Sequence, residues 1–110
     1  MNTSYFSKSG NEKNAVSISG SAPSFFKGRI YLKLAPKIWF FKKYKKDGDE
    51  DSYIKSYKEE VLDKLDPLKV YNELGDSAIL LCWEGPSKFC HRHLVSKWFK
   101  EKLGIEVLEL

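Results

Sequence analysis

Hydrophobic positions along this chain follow two different periods, and the change between them marks out the elements. Thr3 to Ser7 is short, aromatic and β-friendly, and Ser9-Gly10-Asn11 breaks it, so it reads as a first strand running into a loop. Ala15-Val16-Ser17-Ile18-Ser19 alternates apolar and small polar residues, as a half-buried strand does. It ends in the small-residue loop Gly20-Ser21-Ala22-Pro23-Ser24. Phe25 to Leu34 carries Phe25, Phe26, Ile30, Tyr31 and Leu32 around Gly28 without a clear period, and is read as an ordered aromatic loop.

From Pro36 onward the period is helical. Ile38, Trp39 and Phe41 precede a lysine run, and Asp47-Gly48 stops this helix. The next helix is capped by Asp51 or Ser52, with Ile54, Tyr57, Val61, Leu62 and Leu65 at helical spacing. A third runs from Asp66 to Leu74: Asp66 caps, Pro67 fills the first turn, Val70, Tyr71 and Leu74 face inward, and Gly75 ends it. Ala78-Ile79-Leu80-Leu81 is a continuous apolar run, suited to a strand covered on both faces. After the loop Trp83 to Lys88, Leu94, Val95, Trp98, Phe99 and Leu103 form one side of a helix closed by Gly104. Ile105-Glu106-Val107-Leu108 then resumes as a strand. Strand, helix, strand within about thirty residues is a βαβ unit with parallel strands and a right-handed crossover. The expected fold class is α/β: a small Rossmann-like three-layer domain, with a mainly parallel central sheet flanked by helices. Trp39, Phe41, Trp98 and Phe99 are expected in its core.

Composition narrows the class without identifying a reaction. The 110 residues are 42% hydrophobic and 31% charged, enough for one compact domain over residues 1–110 and unlike a disordered or collagen-like chain. The apolar runs Ile38-Trp39-Phe40-Phe41 and Ala78 to Trp83 fall far short of the roughly 20 residues of a membrane span. The first residues lack a basic region followed by an apolar core, so no secretory signal is expected. A cytoplasmic location follows as the expectation, with no membrane partner, and there the two cysteines are expected as reduced thiols. The net charge of +4 arises largely in Lys42-Lys43-Tyr44-Lys45-Lys46, answered at once by Asp47, Asp49, Glu50 and Asp51. Such a block reads first as a solvated helix end, and a nucleic-acid partner is the lesser reading.

The candidate chemistry lies at one point. In open parallel sheets ligands bind beyond the carboxyl ends of the strands, where helix N-termini also point. That place holds Cys82-Trp83-Glu84-Gly85-Pro86-Ser87-Lys88-Phe89-Cys90-His91-Arg92. A thiol near a helix N-terminus and an arginine is favoured as thiolate, and the same groups attract an anion. Cys82 is the candidate nucleophile or sulfur carrier, with Glu84 or His91 to handle the proton. Cys90, Arg92, Arg29 and Trp83 are the candidate ligand contacts, and Trp83 with Phe25 and Phe26 can roof a flat ligand.

Leu80-Leu81-Cys82-Trp83-Glu84 followed by Phe89-Cys90-His91-Arg92-His93-Leu94-Val95 resembles the C-terminal signature of domain-of-unknown-function family 488. Lys27-Gly28 through Tyr31-Leu34-Ala35-Pro36 resembles a segment of that family's short subclade. Tyr5-Phe6 and the Ser17-Ile18-Ser19 to Pro23 loop stand at its first two strands. The resemblance implies a relation to the rhodanese and cysteine-phosphatase superfamily, hence a Rossmann-like sheet with a reactive cysteine at a strand end. By position, Cys82 matches that cysteine, Glu84 its companion acid, and Cys90, His91 and Arg92 the start of the helix. It also implies a nucleotide-related or sulfur-related substrate. Ser17-Ile18-Ser19 replaces the family's Asp-Val-Arg, so an anion contact made there is either missing or supplied by Arg29 or Lys27. Cys82 and Arg92 are also set wider apart than in phosphatase loops, which departs from a phosphotyrosine-phosphatase mechanism.

Bland readings stand beside these. Cys82 also reads as a small buried hydrophobe, Cys90 as an ordinary first-turn residue, the pair as a regulatory disulfide, and Arg92 as the partner of Glu84. Zinc through Cys82, Cys90 and His91 or His93 is a lesser reading, because the gap between the cysteines fits no common short zinc motif, and neither metal nor cofactor is expected. Three functions remain open: a cysteine-dependent enzyme acting on a nucleotide, modified base or sulfur-carrying anionic substrate; a non-catalytic pocket for a small anionic, nucleotide-like ligand; and a nucleic-acid-binding module. The chain is expected as a monomer or homodimer.

Overall fold

The computed structural model describes residues 1–85 and 88–110. Its centre is a five-stranded sheet in which every pairing is parallel, with strands β1 (Asn2–Tyr5), β2 (Ala15–Ser17), β3 (Arg29–Ile30), β4 (Ile79–Cys82) and β5 (Leu108–Glu109) in the order β3-β2-β4-β1-β5. β4 is the middle strand and is buried along its whole length. That is why it is apolar without alternation: side chains pointing both ways meet protein.

The two faces are covered unequally. Helices α2 (Ile38–Asp47), α3 (Glu50–Glu60), α4 (Pro67–Leu74) and α5 (His91–Leu103) belong with one core. Leu80 and Val16 project into it to meet Phe40, Tyr57, Val95 and Phe99. Across the sheet, Ala15, Ile79 and Leu81 meet Phe6 of the four-residue helix α1 (Phe6–Ser9), with Ala22 and Phe26 from the following loop. Neighbouring residues of β2 and β4 thus enter opposite cores, as the two-residue strand period requires. The architecture is the small Rossmann-like α/β sandwich, thick on one side and thin on the other.

Local chemistry explains the helix ends. Asp66 caps α4 by accepting from the N–H groups of Leu68 and Lys69, and Asp49 caps α3 by accepting from that of Ser52. The α3 cap therefore lies two residues before the earlier of the two expected. Gly48 and Gly104 close α2 and α5 with φ of 62° and 66°, a conformation that a side chain disfavours.

Several sequence expectations are corrected. The first strand ends at Tyr5, because Phe6 turns into α1. The last strand is Leu108–Glu109, while Val107 is buried ahead of it. β5 pairs with β1, so the expected βαβ unit has parallel strands with β1 standing between them. The aromatic segment hides β3, whose approach to β2 depends on Gly28. A Cβ there would lie 2.6 Å from the carbonyl oxygen of Ala15. The inward face of α2 is carried by Phe40, 2% exposed, whereas Trp39 is 55% and Phe41 37% exposed. Trp98 and Phe99 are buried as expected. Among the described residues no helix is long and apolar enough to cross a membrane.

The phase of α2 is directly testable. Phe40→Ala is expected to cost about 3–5 kcal/mol of unfolding free energy, as a buried aromatic does. Trp39→Ala is expected to cost less than about 1 kcal/mol. Denaturant titration of the two variants checks this, and the reverse order would refute the assignment.

Candidate active site at the strand ends

β4 delivers Cys82 to the carboxyl edge of the sheet. Because Cys82 follows Leu80 by two residues, it points to the same side as α5, whose N-cap is Cys90. The two sulfurs meet there, and Cys82 and Cys90 are joined in a disulfide. The expectation of two reduced thiols is corrected by this pairing. Topology explains it: Cys90, eight positions after Cys82, begins α5 at the edge of the sheet where β4 ends. Pro86 and Ser87, part of that expected site loop, lie outside the described residues.

His91 is buried beside the sulfurs. Its Nε2 lies 2.7 Å from the carbonyl oxygen of Ile18, in the loop leaving β2. A carbonyl only accepts, so Nε2 carries the ring proton and Nδ1 is left as the bare nitrogen. Nδ1 faces Cys90 Sγ at 3.8 Å. Burial lowers the imidazole's pKa from 6.5 to about 4, against the hydrogen bond to Ile18, and the charges of Arg92 and His93 lower it further. His91 is therefore a neutral base at ordinary pH.

Arg92 is fully buried, although it sits in a helical first turn where positive charge is unfavourable. Glu109 on β5 supplies the answer: its carboxylate accepts from Arg92 Nε and NH2 at 3.0 to 3.3 Å, and also from Thr3 Oγ1 at 2.6 Å. Arg92 NH1 donates to Cys82 Sγ at 3.2 Å and to the Glu84 carbonyl at 2.8 Å, while NH2 donates to the Gly85 carbonyl. The guanidinium lies over the Tyr5 ring. The ion pair weighed between Glu84 and Arg92 is thus replaced by Arg92–Glu109, a partner that sequence spacing did not suggest. Desolvation pushes the Glu109 carboxyl up, but the hydrogen bonds from Arg92 and Thr3 outweigh it and hold the group below its ordinary value.

A cavity of about 380 Å³ opens above the sulfurs. Cys82, Cys90 and His91 line it, under walls from the Ser19-Gly20-Ser21 loop, Trp83 and α2. Ile38, Phe41 and Lys45 recur along one side of α2 at helical spacing. Ile38 and Phe41 therefore border this cavity, leaving Phe40 as the buried residue of α2. Among the described lining residues Lys45 is the one cation, and it stands 3.9 Å from Glu84. Trp83 is half exposed, with Nε1 donating to the Ser21 carbonyl and its ring packed steeply against that of Phe6, centroids 5.2 Å apart.

Of the residues singled out from sequence, Cys82, Trp83, Glu84, Cys90 and His91 come together at this cavity. Arg92 lies behind it, bonded as described. Arg29 lies elsewhere, donating to the carbonyls of Glu73 and Leu74 at the end of α4, a favourable place for a cation. Phe26 packs beneath the sheet against Phe6. In the basic run, Lys43 is paired with Asp47.

Two expectations concern stability. Between pH 6.5 and about 4 the unfolded chain binds a proton on His91 that the folded chain refuses. Stability is therefore complete above that window and falls with pH inside it, by about 1.4 kcal/mol per pH unit. Thermal unfolding at pH 7 and pH 5 should show this loss, and His91→Gln should flatten it; equal slopes in both proteins would refute the assignment. Glu109→Gln leaves buried Arg92 without its counter-charge and should cost roughly 2–4 kcal/mol at pH 7, read by denaturant titration.

Compared with known proteins, the sequence profile of DUF488-N3a, described as the active DUF488-N3 subclade, matches residues 22–103, about three quarters of the chain. The matched span includes β4, the cysteine pair and α5, and leaves out β1, β2 and β5. No curated protein and no solved structure matches the chain.

Proposed function

The chain belongs to the DUF488 family, in its N3 subclade, and we propose that it is a cysteine-dependent enzyme whose Cys82 and Cys90 act as a dithiol on a small sulfur-carrying substrate. The observation that carries this reading is the cysteine pair on the cavity wall, with a cation at one sulfur and a neutral base at the other. A strand-end cysteine also agrees with the family's resemblance to the rhodanese and cysteine-phosphatase superfamily. The apolar walls from Pro36, Ile38, Phe41 and Trp83 favour a substrate with a flat or aliphatic body over a highly charged one.

The reaction starts from the reduced pair. Arg92 NH1 and the N-terminus of α5 favour the Cys82 thiolate, the attacking species in thiol exchange. It attacks one sulfur of a substrate disulfide R–S–S–R′. The S–S bond breaks, R′S⁻ leaves and takes a proton from water, and Cys82–S–S–R remains. The Cys90 thiol, oriented by a hydrogen bond to His91 Nδ1, gives up its proton to water. The resulting Cys90 thiolate attacks Cys82 Sγ, and RS⁻ departs and takes a proton from water. Two electrons have passed from the dithiol to the substrate, leaving the Cys82–Cys90 disulfide. A small dithiol reductant restores the starting state. Glu84, held near Lys45 at the rim, orients polar parts of the substrate.

Mixing the reduced protein with bis(2-hydroxyethyl) disulfide and reading intact masses tests this scheme. Wild type is expected to end as the bare oxidised chain. Cys90→Ser should trap a mercaptoethanol adduct on Cys82, and Cys82→Ser should consume the reagent at least 100-fold more slowly. Wild-type rates in Cys82→Ser would sink the dithiol mechanism and favour the non-catalytic pocket.

A further inference from the structure

The same three side chains offer a second kind of chemistry. Cys82 Sγ, Cys90 Sγ and a ring nitrogen of His91 all lie within 4.8 Å of one another, and all three residues are buried. Two thiolates and an imidazole are ligands that zinc favours. His91 is already oriented for the task. Histidines that ligate metal donate their other ring N–H to a carboxylate or backbone carbonyl, and here Nε2 is committed to Ile18. The bare Nδ1 is the nitrogen on the side of Cys90 Sγ.

Geometry and charge both allow an ion once the sulfurs are reduced. The Cα atoms of the cysteines are 7.1 Å apart. Side-chain rotation alone can then part the sulfurs to about 3.8 Å, the edge of a tetrahedron with Zn–S bonds of about 2.3 Å. Two thiolates neutralise a divalent ion, and the nearby charge of Arg92 is met by Glu109. All three ligands border the cavity, so the fourth coordination position faces it. Three protein ligands and one open position is the pattern of zinc sites that take a water or substrate.

We propose that the reduced protein binds one Zn²⁺ through Cys82 Sγ, Cys90 Sγ and His91 Nδ1, and that this state and the disulfide exclude each other. With zinc bound, neither thiolate is free to exchange. Oxidation passes two electrons from the thiolates to a disulfide oxidant, joins the sulfurs and releases the ion. The inference shares with the proposed function the need for reducible thiols, but not the need for turnover.

The test is reduction of the wild-type protein, anaerobic removal of reductant, and addition of one equivalent of Zn²⁺. Zinc and thiols per chain are counted after gel filtration, alongside the oxidised protein. One zinc per reduced chain and none per oxidised chain is the expected result. Co²⁺ in its place should give a thiolate charge-transfer band, and His91→Ala should weaken retention at least tenfold. A reduced chain with two titratable thiols that retains no zinc would overturn the proposal, as would equal retention by the oxidised chain. Zinc retention without disulfide turnover sinks the dithiol enzyme alone; turnover without zinc retention sinks the metal site alone.

Discussion

The buried guanidinium of Arg92 is the constraint around which the carboxyl edge of the sheet is organised. It ties β5 through Glu109, the end of β4 through Cys82, the following loop through two carbonyls, and β1 through the Tyr5 ring. A fully buried cation is tolerable only when its donors are occupied and its charge is met nearby. Glu109 meets the charge, and Thr3 in turn fixes the carboxylate. Because the partner stands on the edge strand, the short β5 is connected to the cysteine site by a chain of hydrogen bonds. Arginine suits this place better than lysine, since its planar fork can serve a carboxylate, a sulfur and two carbonyls together.

His91 and Arg92 are sequence neighbours with opposite electrical roles. Burial keeps His91 uncharged, while the guanidinium charge of Arg92 is met by Glu109. A positive imidazole in the same first turn would stand against both Arg92 and the helix dipole. Fixing Nε2 on Ile18 thus does three things: it anchors the loop after β2, sets the tautomer, and turns the free lone pair toward sulfur.

Much of this was legible in the sequence, for identifiable reasons. Punctuation located the helices: Asp66-Pro67 and Gly75 bound α4, and Gly48 and Gly104 end α2 and α5. The unbroken apolar run revealed β4 as the covered strand, and the carboxyl-edge rule pointed from there to Cys82 and His91. What escaped was non-local. β3 is two residues long and set by pairing with β2, which local pattern cannot report. The phase of α2 slipped by one residue because its apolar positions serve two surfaces, the core through Phe40 and the cavity through Ile38 and Phe41. Glu109 lies seventeen residues beyond Arg92 and meets it only because β5 crosses to the far side of β1. Arg29 looked available for an anion, and its actual partners are the backbone carbonyls that end α4.

The unequal cover of the sheet has a consequence for how the protein breathes. The thin layer over Ala15, Ile79 and Leu81 is made by α1 and the segment carrying Ala22 and Phe26. That segment continues directly from Ser19-Gly20-Ser21, which forms a wall of the cavity and accepts from the Trp83 indole. One stretch of backbone therefore guards the minor core and bounds the site. Its local opening, the fluctuation that amide hydrogen exchange detects, is shared between the two. A ligand that grips this wall draws on the same free energy that keeps water from the underside of β4, so occupancy and protection of the minor core rise and fall together.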